Sequence, residues 1–401
     1  MKTICIAGKN DIAVNVLLHC IHNYPDIRLK VVCNRNEPGI NGWQKSLKWF
    51  AKKENIEICD LEDVYDIENL IFLSLEFDRI LRPENFRTKQ IFNIHFSLLP
   101  KYKGCHTSVL PILNQEKETG VTFHKVDRGI DTGEIVDSKV VEILQFDTSY
   151  DLYKKLIVAG TDVVIRNLQN VIHGKVDSYP QSCKYSTYFS SSTIDYKNAH
   201  LNVNCTAYQI QNQVRAFSFR PYQLLDWNGV NIIECIILNE RSTKTPGTIL
   251  EETHTYIKAS SVDFDVILFK DTLSELLQKI KSNQNNEDCI ELCISNAVIN
   301  AQNKYGWTPL IVATYNGNTE MVRYLIERKA DIHAVNNNGT TILMYAKDAG
   351  LRTNNWDIFS LYVELGLNVH ARDYDGREIT DYLSKYEIMQ LPKKIRDILA
   401  I

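Results

Sequence analysis

KQIFNIHFSLLPKYKG, residues 89–104, decides how this chain is read. Residues 89–96 read as a strand, in which positions two apart share a face. Asn93 and His95 therefore project together, while Ile94 and Phe96 project to the other side. Pro100 has no N–H to give to a ladder, so the strand ends before it. Two hydrogen-bonding side chains at an abrupt strand end mark the C-terminal edge of an α/β sheet, where such folds bind ligands.

The segments upstream supply the rest of that sheet. TICIAG reads as a buried strand closing on glycine. NDIAVNVLLHCIHNY follows as a helix with Ala13, Leu17 and Ile21 on one stripe. RLKVVCNR is a second strand, GWQKSLKWFAKKENIEICD a helix and a short strand, and NLIFLSLEF a further strand. This alternation implies parallel βαβ units. The first turn, Ala7-Gly8-Lys9-Asn10, is not GxGxxG and does not support a dinucleotide site.

Downstream, GVTFHKVDRGIDTGEIV (120–136) reads as a strand followed by a loop. Gly129 and Gly133 are expected to give the backbone an unusual path around Asp131 and to hold its carboxylate against a fixed partner. Asn, His and Asp suffice for acyl transfer without a serine or cysteine nucleophile. An amide NH2 donates to a developing oxyanion. A histidine that titrates near neutrality relays the proton of an attacking amine. A carboxylate orients that histidine. The competing reading makes His95 a satisfied strand residue and Asp131 a turn residue.

A helix is expected from Tyr150 to about His173, capped by Gly174. After about residue 185 the chain turns polar and irregular. A short helix over Ala207 to Val214, RAFSFRPYQ, a hairpin at Asn228-Gly229 and the strands TYIKAS and VDFDVILF make a small, mainly β domain ending near Phe269. DTLSELLQKIKS then starts a helix, with Thr272 and Glu275 spaced as a capping box. Beyond it NAVINAQNKYG, KADIHAVNNNG and GLNVHARDYDG repeat, their glycines (306, 339, 376) separated by 33 and 37 residues. With WTPLIVATYNGNTEMVRYLIERKAD between them, the pattern resembles the ankyrin repeat. The longer spacing suggests a small insertion near Leu351 to Trp356. The expected domains are 1–185, 186–269 and 270–401.

Composition narrows the function. Apolar residues are 44% and charged residues 23% of a chain of 401, ordinary for a globular protein. A net charge of −4 argues against nucleic acid as a partner. The ten cysteines form no CxxC pair or regular framework, and Cys289 and Cys293 read as helix-core thiols. No Cys, His or Asp cluster has metal spacing. MKTICIAGKN is too short in its apolar run for a signal peptide, and no stretch approaches a membrane span. A reduced cytoplasmic compartment is expected.

Asn-x-His-x-Ser-Leu-Leu-Pro-x-Tyr-Lys-Gly, followed by Asp-x-Gly-Ile-Asp-Thr-Gly-Glu-Ile, resembles the folate-dependent formyltransferase family over residues 1 to 185. The resemblance implies a Rossmann-like α/β catalytic domain, N10-formyltetrahydrofolate as formyl donor, no metal, and Asn93, His95 and Asp131 as the catalytic trio. It also implies that the loop Phe77, Asp78, Arg79, Ile80, Leu81 holds the pterin through its backbone.

Three acceptors are compatible with that resemblance: methionyl-tRNA, glycinamide ribonucleotide and nucleotide-linked amino sugars. KYKGCHTS (101–108) is more similar to the sugar N-formyltransferases, and TPGTIL (245–250) is similar to the β domain of the tRNA enzymes. A nucleotide sugar calls for an aromatic platform, cations and hydroxyl-bonding groups. Lys103, His106, Arg220 and Tyr222 are the candidates, while Phe217 and Phe219 read as core of the β domain. The resemblance implies a bacterial homodimer serving surface polysaccharide (O-antigen, lipopolysaccharide) synthesis. Its acceptor would be a dTDP-linked amino-dideoxyhexose, with the 3-amino-3,6-dideoxy-D-glucose compound favoured. The alternatives are a methionyl-tRNA formyltransferase-like enzyme and an ankyrin scaffold carrying a relic catalytic domain.

The repeats suggest a protein partner. Their aromatic content raises a second possibility, a site for a second nucleotide sugar built from Trp307, Tyr345, Arg352 and Trp356.

Overall fold

The computed structural model describes residues 2–220, 222–282 and 286–401. Its backbone divides into two compact units. The first runs up to Asn202 and adds Tyr208–Phe219 and Gln223–Leu225; the second holds Val203–Ala207, Arg220–Tyr222 and Asp226–Ile401.

In the first unit, β1 (Thr3–Gly8), β2 (Arg28–Cys33), β3 (Glu57–Ile58), β4 (Leu70–Leu75) and β5 (Ile91–His95) are parallel, as the βαβ pattern requires. β1 and β4 are buried along their whole length, which explains why they read as continuous apolar runs. Helices α1 (Asn10–Asn23) and α2 (Leu47–Lys53) make the first crossovers. After β5 the chain stays at the C-terminal edge. It forms a short β6 (Lys103–Gly104) and a one-turn α3 (Leu110–Leu113). It then returns antiparallel as β7 (Glu118–Lys125) and β8 (Ile135–Glu142). The seven-stranded order is β3-β2-β1-β4-β5-β7-β8. The order reverses between β1 and β4, so a crevice opens at their C-terminal ends. Gly8 has φ 152° there, and a Cβ on it would lie 1.8 Å from the Leu75 carbonyl oxygen.

Helix α4 (Ser149–His173) covers one face. Thr148 and Asp151 form a reciprocal cap at its start, and Gly174 closes it at φ 68°. Gly160 lets α4 pack closely on Ile12, Ile94 and Phe96. β9 (Tyr188–Phe189) pairs with β6, and α5 spans Ala207–Phe217.

In the second unit a five-stranded sheet has the order β10-β11-β14-β13-β12. The strands are β10 (Leu225–Trp227), β11 (Val230–Arg241), β12 (Ile249–Glu252), β13 (Tyr256–Ala259) and β14 (Phe264–Lys270). The hairpin at Asn228 (φ 54°) and Gly229 (φ 81°) has two left-handed residues, which is why Asn-Gly specifies it. Helix α6 (Leu273–Lys281) corrects one expectation. Thr272 makes no cap hydrogen bond; its hydroxyl donates to the Leu292 carbonyl, and Asp271 accepts from the Leu273 N–H instead. Glu275 pairs with His254. Tertiary partners have displaced the local box.

The repeats follow: α7 (Asn286–Leu292), α8 (Asn296–Ile299), α9 (Pro309–Asn316), α10 (Thr319–Glu327), α11 (Ile342–Thr353) and α12 (Asp357–Glu364). Thr308 caps α9 and Thr341 caps α11 through their hydroxyls, and Gly306, Gly339 and Gly376 turn each connection at positive φ. α9 has 8 residues and α11 has 12. The extra spacing is thus one added helical turn, ending at Thr353. Cys289 and Cys293 are buried free thiols. Among the described residues no helix is long and apolar enough to cross a membrane.

Candidate active site

The β5–β7 register builds the site. It sets Asn93 opposite His124 and His95 opposite Thr122, on one face of the sheet edge. Asn93 Nδ2 lies 3.1 Å from His124 Nε2 and 3.5 Å from Asp131 Oδ1. His124 Nδ1 lies 2.8 Å from the Lys125 carbonyl, so its N–H donates there and Nε2 accepts from Asn93. His124 thereby holds the amide plane of Asn93. His95 Nε2 donates to the Tyr102 carbonyl at 2.7 Å, which turns Nδ1 toward Asp131 Oδ2, 3.4 Å away.

Asp131 is the hub. Its Oδ2 also accepts the Gly104 N–H at 2.9 Å, and its Oδ1 lies 3.6 Å from His124 Nε2. The unusual backbone is at Asp131 itself, φ 53°, and not at the flanking glycines expected to provide it. Those glycines are there for space. A Cβ on Gly133 would lie 1.8 Å from the Lys125 carbonyl oxygen, and one on Gly129 would lie 2.0 Å from Thr132 Oγ1. Gln181 Nε2 fastens the loop by donating to the carbonyls of Asp131 (2.9 Å) and Gly133 (2.8 Å).

Electrostatics follow from this packing. Burial pushes the Asp131 carboxyl up, but the charge of His95, the His124 contact and the Gly104 N–H together outweigh it and hold the group at about 2. Burial lowers His95 below its ordinary value against the opposing pull of Asp131, and the charge of Lys103 adds to the lowering. The site therefore presents a neutral imidazole beside a carboxylate. A proton arriving at Nδ1 would be held between the two.

The structure joins Asn93, His95 and Asp131 as the sequence reading required. His124 was missed as a member of the site; the signal was available in its cross-strand alignment with Asn93, which becomes legible once β7 is known to run antiparallel. His106, at φ 64°, contacts the Tyr196 hydroxyl at 3.0 Å and the Ser191 carbonyl at 3.3 Å. The loop after β4 is anchored by its backbone. Asp78 N–H donates to Asn34 Oδ1 at 3.3 Å, and Asp78 Oδ2 accepts the Arg35 N–H at 2.9 Å. Phe77 and Leu81 pack into the apolar cluster of Phe72, Phe86 and Ile91, Arg79 lies over the Phe77 ring, and Ile80 stays 78% exposed. Arg79 Nε is buried without a hydrogen-bond acceptor and pairs with Asp78 Oδ1 at 3.9 Å.

Arg220 and Tyr222 belong to the second unit, where Arg220 pairs with Asp271 at 2.7 Å and Tyr222 is exposed. In the first unit, Phe219 packs on Trp43, Tyr150 and Tyr153, and Phe217 on Tyr196. In the repeats Trp307 and Tyr345 meet at 5.8 Å between ring centroids, each also touches Tyr315, and Arg352 lies 4.4 Å over Tyr315. Trp356 packs instead on Gly350 and Phe359.

Comparison with known proteins matches this arrangement to one family. A formyl transferase model matches residues 64–168, a formyl transferase C-terminal domain model matches 193–270, and an ankyrin repeat model (3 copies) matches 276–373. The methionyl-tRNA formyltransferase of Clostridium beijerinckii is 30% identical over 288 residues, which is 67% of this chain and 90% of that protein. WlaRD, a sugar 3N-formyl transferase crystallised with dTDP and 5-N-formyl-THF, is 43% identical with a TM-score of 0.63, over 67% of this chain and 98% of its own. An N-formyltransferase from Helicobacter canadensis, in complex with folinic acid and dTDP-3-aminofucose, is 41% identical with a TM-score of 0.63, over 68% of this chain and 100% of its own. With the trio and its supporting loop in place, the chain belongs to the formyltransferase family, among its sugar N-formyltransferases, and carries ankyrin repeats after the formyltransferase region.

Proposed function

We propose that this protein moves the formyl group of N10-formyltetrahydrofolate to the amine of a dTDP-linked 3-amino-3,6-dideoxyhexose, with the D-glucose compound as preferred acceptor. The carrying observation is that two sugar enzymes match at 43% and 41% identity over essentially their whole length, against 30% for the tRNA enzyme. The loop at 77–81 fits the donor. Its backbone is held by Asn34 and its floor is apolar.

Bound there, the donor supplies a carbonyl carbon for an amine to attack. Asn93 keeps its contact to His124, and its longer, 3.5 Å contact to Asp131 is the one that yields to a developing oxyanion. His95 takes the amine's proton at Nδ1, since Nε2–H is committed to the Tyr102 carbonyl. Asp131 stabilises the imidazolium so formed, and that proton goes on to N10 as the C–N10 bond breaks and tetrahydrofolate leaves.

Lys103, His106, Arg220 and Tyr222 remain the candidates for the nucleotide sugar. The product would serve bacterial surface polysaccharide, made in the cytoplasm by a homodimer of chains with domains 1–185, 186–269 and 270–401. The repeats would dock a protein or, at Trp307, Tyr345 and Arg352, a second nucleotide sugar. The test is an acceptor screen with N10-formyltetrahydrofolate, following tetrahydrofolate release. It would use dTDP-linked 3-amino and 4-amino sugars, UDP-4-amino-arabinose and methionyl-tRNA. Turnover of a dTDP-3-amino sugar, lost in His95→Asn, is expected. Turnover of methionyl-tRNA alone overturns the acceptor class.

A further inference from the structure

We infer that Glu76, at the crevice where the sheet order reverses, is the specificity residue that reads the positive charge of the acceptor's amine. The inference rests on the amino-sugar reading above and adds to it the group that distinguishes an amine from a hydroxyl.

The position comes from the sheet. β4 ends at Leu75, whose register partner is Ile94, so Glu76 is the next residue along, beside His95. There the chain leaves the strand: Glu76 has φ 56°, and Asn10, the first residue of α1 across the crevice, has φ 66°. Non-glycine residues in the left-handed region are held there by surrounding structure. Here the holding is visible. Asn10 Nδ2 donates to Glu76 Oε2 at 3.1 Å, and the Tyr153 hydroxyl lies 2.7 and 2.8 Å from the two carboxylate oxygens. Gln44 Nε2 donates to that hydroxyl at 2.9 Å, which directs the tyrosine proton toward Glu76.

Both fixed partners of the carboxylate are neutral. Among the described residues no cation lies within ion-pair distance of it; the more distant charges of Lys9 and Asp11 act on it in opposite directions. Burial raises its affinity for a proton, and the hydrogen bonds from Tyr153 and Asn10 hold it back. A buried carboxylate with only neutral partners is expensive to keep, and a cation supplied by the ligand is the natural compensation. Tyr153 in turn packs on Trp43 and Phe219 at 5.8 and 5.5 Å between ring centroids, which fixes the position of its hydroxyl.

The two faces of the sheet also separate donor from acceptor. The loop 77–81 folds toward the face of Phe72, Phe86 and Ile91. α4 and α1 cover the opposite face, against Ile94 and Phe96. The Glu76 carboxylate, held by Tyr153 of α4 and Asn10 of α1, lies on the α1 and α4 side, where β4 leaves the sheet. The ammonium recognised at Glu76 must lose one proton before its nitrogen attacks the formyl carbon, and the Glu76 carboxylate is the acceptor for that first proton, His95 for the second.

The experiment is calorimetric. Affinities would be measured for a dTDP-3-amino-3,6-dideoxyhexose, for the matching dTDP-6-deoxyhexose with a hydroxyl at the same carbon, and for dTDP, with the full chain and with Glu76→Gln. The glutamine keeps size and one acceptor oxygen for the Tyr153 hydroxyl and removes the charge, at the loss of the acceptor facing Asn10. The wild type should prefer the amine over the hydroxyl about tenfold or more. Glu76→Gln should bring the two sugars within about twofold while leaving dTDP affinity and the donor KM unchanged. Tyr153→Phe, which removes the orienting proton, should lower the preference partway. A preference that survives in Glu76→Gln, or is absent from the wild type while amino sugars are still turned over, overturns the role of Glu76 alone. Absence of any binding of dTDP-sugars to the wild type overturns the acceptor reading, and this inference with it.

Discussion

The sheet edge around Asp131 and the aromatic cluster of the repeats are both built from residues that stand out in the sequence, yet they are held in opposite ways. At the sheet edge the groups are close but not consumed. His95 and Asp131 sit 3.4 Å apart, Asn93 and Asp131 3.5 Å, and Asp131 itself is in the left-handed region. In the repeats the groups complete one another. Trp307, Tyr315 and Tyr345 contact in a triangle, Arg352 covers Tyr315 and donates to its carbonyl, and Asn336 donates to the Tyr345 hydroxyl at 2.8 Å. Spare hydrogen-bonding capacity in a strained setting is the mark of chemistry, and mutual satisfaction is the mark of packing. Substitutions at the first should move rate with little effect on melting; at the second they should move melting with little effect on rate.

The largest expected effect tests the first half. Asn93→Ala and His95→Asn should each lower kcat/KM by about a hundred- to a thousandfold, with melting temperature nearly unchanged. A loss of both rate and fold would break the comparison. Asp131→Asn sharpens it. Asp131 is the neighbour that raises His95 against the burial that lowers it, so its removal should move the His95 titration further down, as followed by NMR. Because His95 must be neutral to accept a proton, the acid limb of kcat/KM should follow it to lower pH while the plateau falls. The depressed Asp131 carboxyl contributes stability that is present above the unfolded carboxylate value and lost only as pH falls toward about 2. No acid unfolding between pH 4 and 6 should therefore trace to this residue.

Gly133→Ala should rank next. Its Cβ would meet the Lys125 carbonyl oxygen at 1.8 Å, and backbone must move. A shift of the Asp131 loop by about 1 Å is enough for a loss on the order of a hundredfold in kcat. Retained activity would mean that the loop has more freedom than its two Gln181 hydrogen bonds suggest.

How much of this was legible beforehand depends on whether the signal is local. Asn93 and His95 could be placed on one face because strand alternation is a local rule, and Pro100 marks the end by its own chemistry. The repeats were legible because identical turns recur, each needing glycine at positive φ. Three things were not. The role of His124 depends on β7 running antiparallel to β5, a pairing that sequence periodicity does not encode. The strain at Asp131 was assigned to its glycine neighbours, because glycine signals positive φ and close approach alike, and here it is the second. The capping box at Thr272 failed because Leu292, far along the chain, offers a buried acceptor that the local pattern cannot reveal.

In the repeats Trp307→Ala should destabilise the second unit by about 2 kcal/mol, read from its unfolding transition, with the acceptor saturation curve unchanged. A changed curve, or the loss of a second binding event seen in the wild type, would move the cluster from packing to ligand binding.

The smallest expected effect is the most discriminating between those two. Tyr345→Phe keeps the ring that packs against Trp307 and Tyr315 and deletes only the hydroxyl that accepts from Asn336. If the cluster is packing, the cost is the hydroxyl's partly buried contacts to Asn336, Trp307 and Thr340, about 1–2 kcal/mol, with no change in binding. Asn336 also holds the turn before α11 through Oδ1, which accepts the N–H groups of Asn338 and Thr340, each at 2.9 Å. That turn should therefore survive, and the unfolding transition should shift only slightly. If the hydroxyl instead meets a ligand, the same deletion should weaken a second nucleotide-sugar binding event several-fold while stability barely moves. One measurement of melting and one of binding on this single variant separates the two.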